Sequence, residues 1–148
     1  GYFKNNLDMK ILILHGPNLN LLGQREKIIY GSKTQNELFD TIKNHFPEIE
    51  FSFFQSNHEG KIIDKIHDSF DIFNALIINP GAFAHYSYAI RDAIAAISLP
   101  SIEVHLSDIF NREDFRKNLV ISDVCKATIS GKGLDGYIEA VNKIKDIL

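Results

Sequence analysis

Residues 9–18 read Met-Lys-Ile-Leu-Ile-Leu-His-Gly-Pro-Asn: four consecutive apolar residues that run straight into a polar loop carrying glycine and proline. A run this short and unbroken fits a strand covered on both faces, because a half-exposed strand would alternate apolar with polar residues. The pattern recurs. Residues 49–54, 75–78, 101–104 and 127–129 are equally short and rich in β-branched or aromatic side chains. Between most of these runs lie helical periods. Thr34 with Glu37 forms a capping box ahead of Leu38, Ile42 and Phe46, and Ser56 with Glu59 repeats the device ahead of Ile62, Ile66 and Phe70. Ala89, Ile90, Ala93, Ile94 and Ile97 line another helix, and Tyr137, Val141, Ile144 and Leu148 line the last.

Strands alternating with helices imply parallel pairing through right-handed crossovers, with helices on both faces of the sheet. The fold expected is α/β: a doubly wound five-stranded parallel sheet of flavodoxin-like order in a three-layer αβα stack. Residues 9–148 read as one domain, and residues 1–8 as an extension or a remnant of expression ahead of Met9. In such sheets ligands bind beyond the carboxyl ends of the strands, so the residues that follow each apolar run are candidates for function.

The bulk composition narrows the partners. The chain has 148 residues, 45% hydrophobic and 24% charged, with a net charge of −3. No lysine or arginine run is present to displace the counterions of nucleic acid, so nucleic acid is excluded as a partner. The apolar runs are far shorter than the ~20 residues that span a bilayer, so no membrane is expected. The single cysteine, Cys125, can form no internal disulfide, and a reducing compartment, the cytoplasm, follows.

The polar loops carry the chemistry. The connection after the first strand runs from Gly16 to about Thr34, longer than the ~2 to 6 residues typical of such a connection, and it holds Asn18, Arg25 and Tyr30. After the third strand come Asn79, Pro80, Gly81 and His85. At the fourth, alternation puts Glu103 and His105 on one face, where a carboxylate can fix a histidine's tautomer. Arg112 and Arg116, at helical spacing, can both point back to that edge. Two patterns read as decoys. Residues 131–136 match GxGxxG, yet no second strand or ribose-holding acid follows, so a tight turn and helix start is expected. His15, His85, Glu103 and His105 offer metal-ligand chemistry without metal-ligand spacing.

Together, Gly16-Pro17-Asn18-Leu19-Asn20, Arg25-Glu26, Tyr30-Gly31, Asn57-His58-Glu59-Gly60, Asn79-Pro80-Gly81-Ala82, Arg91-Asp92, Glu103-Val104-His105-Leu106-Ser107, Arg112-Glu113 and Phe115-Arg116 resemble the type II 3-dehydroquinate dehydratases. The order and spacing of the pieces are more specific than any one of them. The resemblance implies a hydro-lyase of the shikimate pathway, which leads to chorismate and the aromatic amino acids. It would convert 3-dehydroquinate to 3-dehydroshikimate by metal-free anti elimination through an enolate, without a cofactor. It also implies a homododecamer, a tetramer of trimers.

Removing a proton alpha to a ketone requires a base, a partner for the enolate and an acid for the departing hydroxyl. By resemblance Tyr30 is the base. A tyrosine serves as a base near neutrality when a cation favours its phenolate, and a guanidinium about 4 Å away contributes about 4 kcal/mol at an effective dielectric of about 20. Arg25 is the nearest candidate in sequence and Arg112 a second. Asn18 would hold a water against the enolate oxygen, and His105, oriented by Glu103, would protonate the hydroxyl. Ser107 and the amides around Leu106 would receive the substrate carboxylate. Asn79, His85 and Arg116 would contact ring hydroxyls, and Asp92 would reach a neighbouring subunit's site. Phe83, Ala84 and Tyr86 replace the tyrosine and threonines more usual around His85, and Asp108 stands where asparagine is common. The alternative is a flavodoxin-like module that binds flavin or phosphate at glycine-rich loops without this activity.

Overall fold

The computed structural model describes residues 9–148, so the reading of residues 1–8 as an extension lies outside the described residues. Five strands form one parallel sheet: β1 (Lys10–His15), β2 (Glu50–Gln55), β3 (Ala75–Asn79), β4 (Ser101–His105) and β5 (Ala127–Ser130). Their order is β2-β1-β3-β4-β5, the flavodoxin-like arrangement expected from the alternating pattern. The helices are α1 (Lys27–Tyr30), α2 (Gln35–His45), α3 (Glu59–Ser69), α4 (Tyr88–Ile97) and α5 (Leu134–Ile147). None among the described residues is long and apolar enough to cross a membrane.

Strand alternation divides the core in two. Ile11, Ile13, Ala75, Ile77, Ile102 and Val104 pack with Leu38, Phe39 and Ile42 of α2 and with Tyr137, Val141 and Ile144 of α5. Leu12, Leu14, Leu76 and Ile78 pack with Ile62 and Ile66 of α3 and with Ile90, Ala93 and Ile94 of α4. Each fully buried Ile or Leu contributes roughly 1.5–3 kcal/mol, so the central strands are pinned from both faces and their carboxyl ends are held rigidly.

The helix starts differ from one another. Thr34 Oγ1 accepts from the Glu37 amide at 3.1 Å and Glu37 Oε1 accepts from the Thr34 amide at 3.2 Å, the reciprocal pair expected for α2. The second expected box, Ser56 with Glu59, does not form. Helix α3 begins at Glu59 itself, so that carboxylate is two positions too early to reach back to its own cap. Ser56 Oγ instead accepts from the His58 amide at 3.0 Å, and Glu59 Oε2 accepts from the Ser87 hydroxyl at 2.6 Å. Ser87 in turn caps α4, its Oγ accepting from the Ile90 amide at 3.1 Å. Glu59 therefore ties two helix starts together instead of capping one.

The loops leaving β1 and β3 touch. The Gly16 amide donates to the Asn79 carbonyl at 2.8 Å. A Cβ on Gly16 would stand 2.2 Å from the Pro80 carbonyl oxygen. Gly81 has φ +59°, and a Cβ there would lie 3.0 Å from the Pro17 carbonyl oxygen. Only residues without a side chain permit this crossing. It falls between β1 and β3, where the strand order reverses direction and a crevice opens.

Gly16→Ala is therefore expected to lower unfolding free energy by about 1–3 kcal/mol through steric overlap with fixed backbone. Gly60→Ala, inside α3 with open space around it, is expected to be neutral or to stabilise by about 0.5–1 kcal/mol. Urea denaturation of both variants checks the pair.

Candidate active site

The long connection from Gly16 to Thr34 is anchored at its start. Leu19 and Leu22 are buried against the cluster beneath α2. Asn18 lies just before them with φ 69°, a left-handed conformation that asparagine tolerates better than most residues, and its amide donates to Asn57 Oδ1 at 3.0 Å. Further along, Arg25 Nη2 donates to the Tyr30 hydroxyl at 2.8 Å, and its guanidinium carbon sits 3.9 Å from the ring centroid. The Arg112 guanidinium lies 5.1 Å from the same centroid, approaching from the loop after β4. A negative charge on the phenolic oxygen would thus be held by one cation directly and sit near a second.

Glu103 and His105 are adjacent on one face of β4, as alternation requires. His105 Nε2 donates to Glu103 Oε2 at 2.5 Å, and both side chains are almost wholly buried. Glu103 Oε1 accepts from the Ser122 hydroxyl at 2.6 Å. The carboxylate is fixed from both ends, and it fixes the imidazole in turn, leaving Nδ1 as the ring nitrogen for a ligand. His85 lies with its ring centroid 6.3 Å from that of His105. Its Nδ1 donates to the Asn118 carbonyl at 3.0 Å, and burial pulls its pKa below the usual histidine value.

One cleft gathers these groups. Asn18, Arg25, Tyr30, Asn79, His85, His105, Leu106, Ser107, Arg112 and Arg116 all line it, with Glu103 immediately behind His105. Three guanidiniums and two imidazoles face the cleft, and among the described residues no carboxylate lines it. A chain of net charge −3 has concentrated positive charge at one crevice, which suits an anionic ligand. Arg112 and Arg116 reach it, but not from one helix. They sit on and after separate 3-10 turns, Ile109–Asn111 and Asp114–Lys117, so their helical spacing is incidental. Arg112 Nη1 donates to Ser107 Oγ at 3.3 Å, and Arg116 Nε donates to Glu113 Oε2 at 2.6 Å.

Asp92 is not in this cleft. It stands on α4 with its side chain 77% exposed, 3.5 Å from Arg91 of the same helix. The metal-ligand decoys do not converge: among the described residues no three His, Cys, Asp or Glu side chains are grouped to hold an ion. The GxGxxG stretch is a turn and helix start. The Gly131 amide donates to the Ser107 carbonyl at 3.0 Å, and the Gly133 amide donates to the Leu106 carbonyl at 3.3 Å. Both glycines have positive φ. These glycines buttress the segment that carries Leu106 and Ser107, and their own amides are committed to it.

Sequence reasoning missed two groups. Tyr137, identified only as a core position of α5, is hydrogen-bonded to Asn79, whose Nδ2 donates to its hydroxyl at 3.1 Å. His15, weighed only as a metal ligand, accepts from Tyr137 at 2.7 Å. Nothing in the local pattern marks this pair, because the partners are 122 residues apart. The signal available was a histidine at the end of β1 and a tyrosine on an otherwise aliphatic helix face.

Comparison with known proteins agrees with the geometry. The family model described as dehydroquinase class II matches residues 9–145. The 3-dehydroquinate dehydratase of Caldicellulosiruptor saccharolyticus is 54% identical over 142 residues, which span 94% of this chain and 98% of that one. The enzyme of that name from Thermotoga maritima is 50% identical over 139 residues, 93% of this chain and 95% of that one. The crystal structure of the type II dehydroquinase from Butyrivibrio crossotus superposes with a TM-score of 0.90 at 48% identity, covering 93% of this chain and 97% of that one.

Burial lowers the pKa of His15 from 6.5 to about 4, partly opposed by its bond to Gln35. The folded chain therefore keeps this ring neutral where the unfolded chain would protonate it. That contribution, on the order of 3 kcal/mol, is fully present above pH 6.5 and is lost as pH falls toward about 4. His85 shifts in the same direction. Urea midpoints are expected to decline across this window, and midpoints that stay level would contradict the assignment.

Proposed function

The chain belongs to the class II dehydroquinase family and is a hydro-lyase that removes water from 3-dehydroquinate to give 3-dehydroshikimate in the shikimate pathway, and from that premise we propose how its side chains divide the work. The observation that carries the assignment is the Arg25–Tyr30 hydrogen bond in a cleft that also holds the end of the Glu103–His105 pair.

Tyr30, as phenolate, takes the proton alpha to the ketone. Arg25 holds the oxygen that carries the charge and Arg112 adds a second positive field. Electrons move into an enolate, whose oxygen is met by a water held at Asn18. His105 then gives a proton to the hydroxyl that departs from the neighbouring carbon, completing an anti elimination through side chains alone. Glu103 keeps the imidazole aimed while this happens. The carboxylate of the substrate lies against Ser107 and the amides around Leu106, within the field of the guanidiniums. Asn79, His85 and Arg116 take the ring hydroxyls. The connection bearing Arg25 and Tyr30 serves as a lid.

Three wider readings accompany this one. Residues 9–148 act as a single catalytic domain, because every group named above lines one cleft or, as Glu103 does, stands directly behind it. Asp92, exposed on α4, completes the site of a neighbouring subunit in a homododecamer, a tetramer of trimers. The enzyme works in the cytoplasm, in keeping with its lone, half-buried Cys125.

Tyr30→Phe is expected to cut turnover by about 10²–10⁴-fold with the fold intact, read as the rise of enone absorbance on adding 3-dehydroquinate. Near-normal turnover would remove Tyr30 from the role of base. Arg25→Gln is expected to cost about 10²-fold in kcat. Asp92→Asn is expected to impair the assembled enzyme, and sedimentation of the native protein at the mass of a trimer or smaller would refute the dodecamer.

A further inference from the structure

Behind the cleft wall runs a single file of hydrogen bonds that ends on Asn79. Gln35 Oε1 lies 2.8 Å from His15 Nδ1, the Tyr137 hydroxyl 2.7 Å from His15 Nε2, and Asn79 Nδ2 3.1 Å from the Tyr137 hydroxyl. At the far end the Gly81 amide donates to Asn79 Oδ1 at 3.2 Å. His15 and Tyr137 are completely inaccessible, and Asn79 is 3% exposed. His15 and Asn79 are register partners at the ends of β1 and β3, and Tyr137 reaches them from α5.

We propose that Tyr137 and His15 are positioning residues that fix which way the amide of Asn79 faces, so that the cleft offers the substrate a ring-hydroxyl partner of set polarity. This rests on the reading that Asn79 holds a ring hydroxyl.

The polarity follows from counting protons. The Gly81 N–H is a backbone donor that cannot turn, so the Asn79 atom beside it must be the carbonyl oxygen. Nδ2 then faces Tyr137, whose hydroxyl accepts it and gives its one proton to His15 Nε2. His15 must therefore carry its proton on Nδ1, which Gln35 Oε1 accepts. Reversing the file would set the Asn79 amino group against the Gly81 N–H, donor against donor. A protonated His15 would have a hydrogen on both nitrogens and could no longer accept from Tyr137. Burial holds His15 neutral down to about pH 4 and raises the Tyr137 pKa, so the arrangement persists wherever the enzyme works. One N–H of Asn79 remains for the cleft, always in the same direction.

The test is a kinetic double-mutant cycle with 3-dehydroquinate on the full chain, using Tyr137→Phe, Asn79→Ala and the pair. Tyr137→Phe keeps the ring volume and removes only the hydroxyl. It is expected to raise KM about tenfold with kcat within about twofold, because one buried donor loses its acceptor and the amide becomes free to turn. In the Asn79→Ala background the same change should add nothing to KM, since its effect passes through that amide. Effects that add, or a raised KM in Asn79→Ala with no change in Tyr137→Phe, would overturn the relay. If Asn79→Ala alone leaves KM untouched, the fault lies with the reading that Asn79 holds substrate, and the relay falls with it. Nitrogen NMR of imidazole-labelled native protein decides without any variant. In the expected spectrum the His15 ring, assigned separately from His85, is neutral with its proton on Nδ1 and does not titrate between about pH 5 and 8. A His15 found protonated on Nε2, or titrating in that range, refutes the proposal.

Discussion

Loops that leave neighbouring strands ordinarily keep their backbones apart, because side chains fill the space between them. Here Gly16 and Gly81 remove that obstacle, and the Pro80 and Pro17 carbonyls occupy the space. Much of the site depends on this contact. It brings Asn79 to the wall of the crevice at the end of β3 and turns the chain after β1 back over it. Asn18, Arg25 and Tyr30 all lie on that returning segment. The prolines limit the ways the crossing can relax, since φ is locked at both.

The electrostatic character of the cleft comes from where acidic partners are placed. Arg91 is neutralised by Asp123 at 2.7 Å on the outside of the molecule, and Lys145 by Glu48 at 2.8 Å. Within the cleft, Arg116 is paired with Glu113, but Arg25 meets a phenol and Arg112 meets a serine and only the edge of Glu113, so positive potential remains for a ligand. Glu103, directly behind His105, is committed to His105 and Ser122. An anion entering the cleft meets donors without a competing carboxylate in its lining.

The strands were legible because continuous apolar runs between polar loops leave few alternatives to a parallel sheet covered on both faces. The Glu103–His105 contact was legible because alternation is a strict geometric rule. Arg25 beside Tyr30 was also within reach, since the two are five residues apart on one loop. Other features depend on tertiary contacts. Ser56 and Glu59 have the right spacing for a capping box, yet Ser87, 28 residues on from Glu59, captures that carboxylate. Arg112 and Arg116 have helical spacing, yet their segment of the loop after β4 folds as separate 3-10 turns. The bond between Tyr137 and His15 joins the two ends of the chain, and no local pattern encodes it.

The sheet also acts as a partition. Asn79, Tyr137 and His15 belong to the side packed by α2 and α5, while Glu103, His105 and Ser122 belong to the side facing α4. A layer of apolar strand residues separates the two polar networks everywhere except at the cleft. A substitution on one side therefore has little means of disturbing hydrogen bonds on the other. The two networks are in this sense separate modules, free to drift or be redesigned independently so long as the edge where they meet keeps its shape.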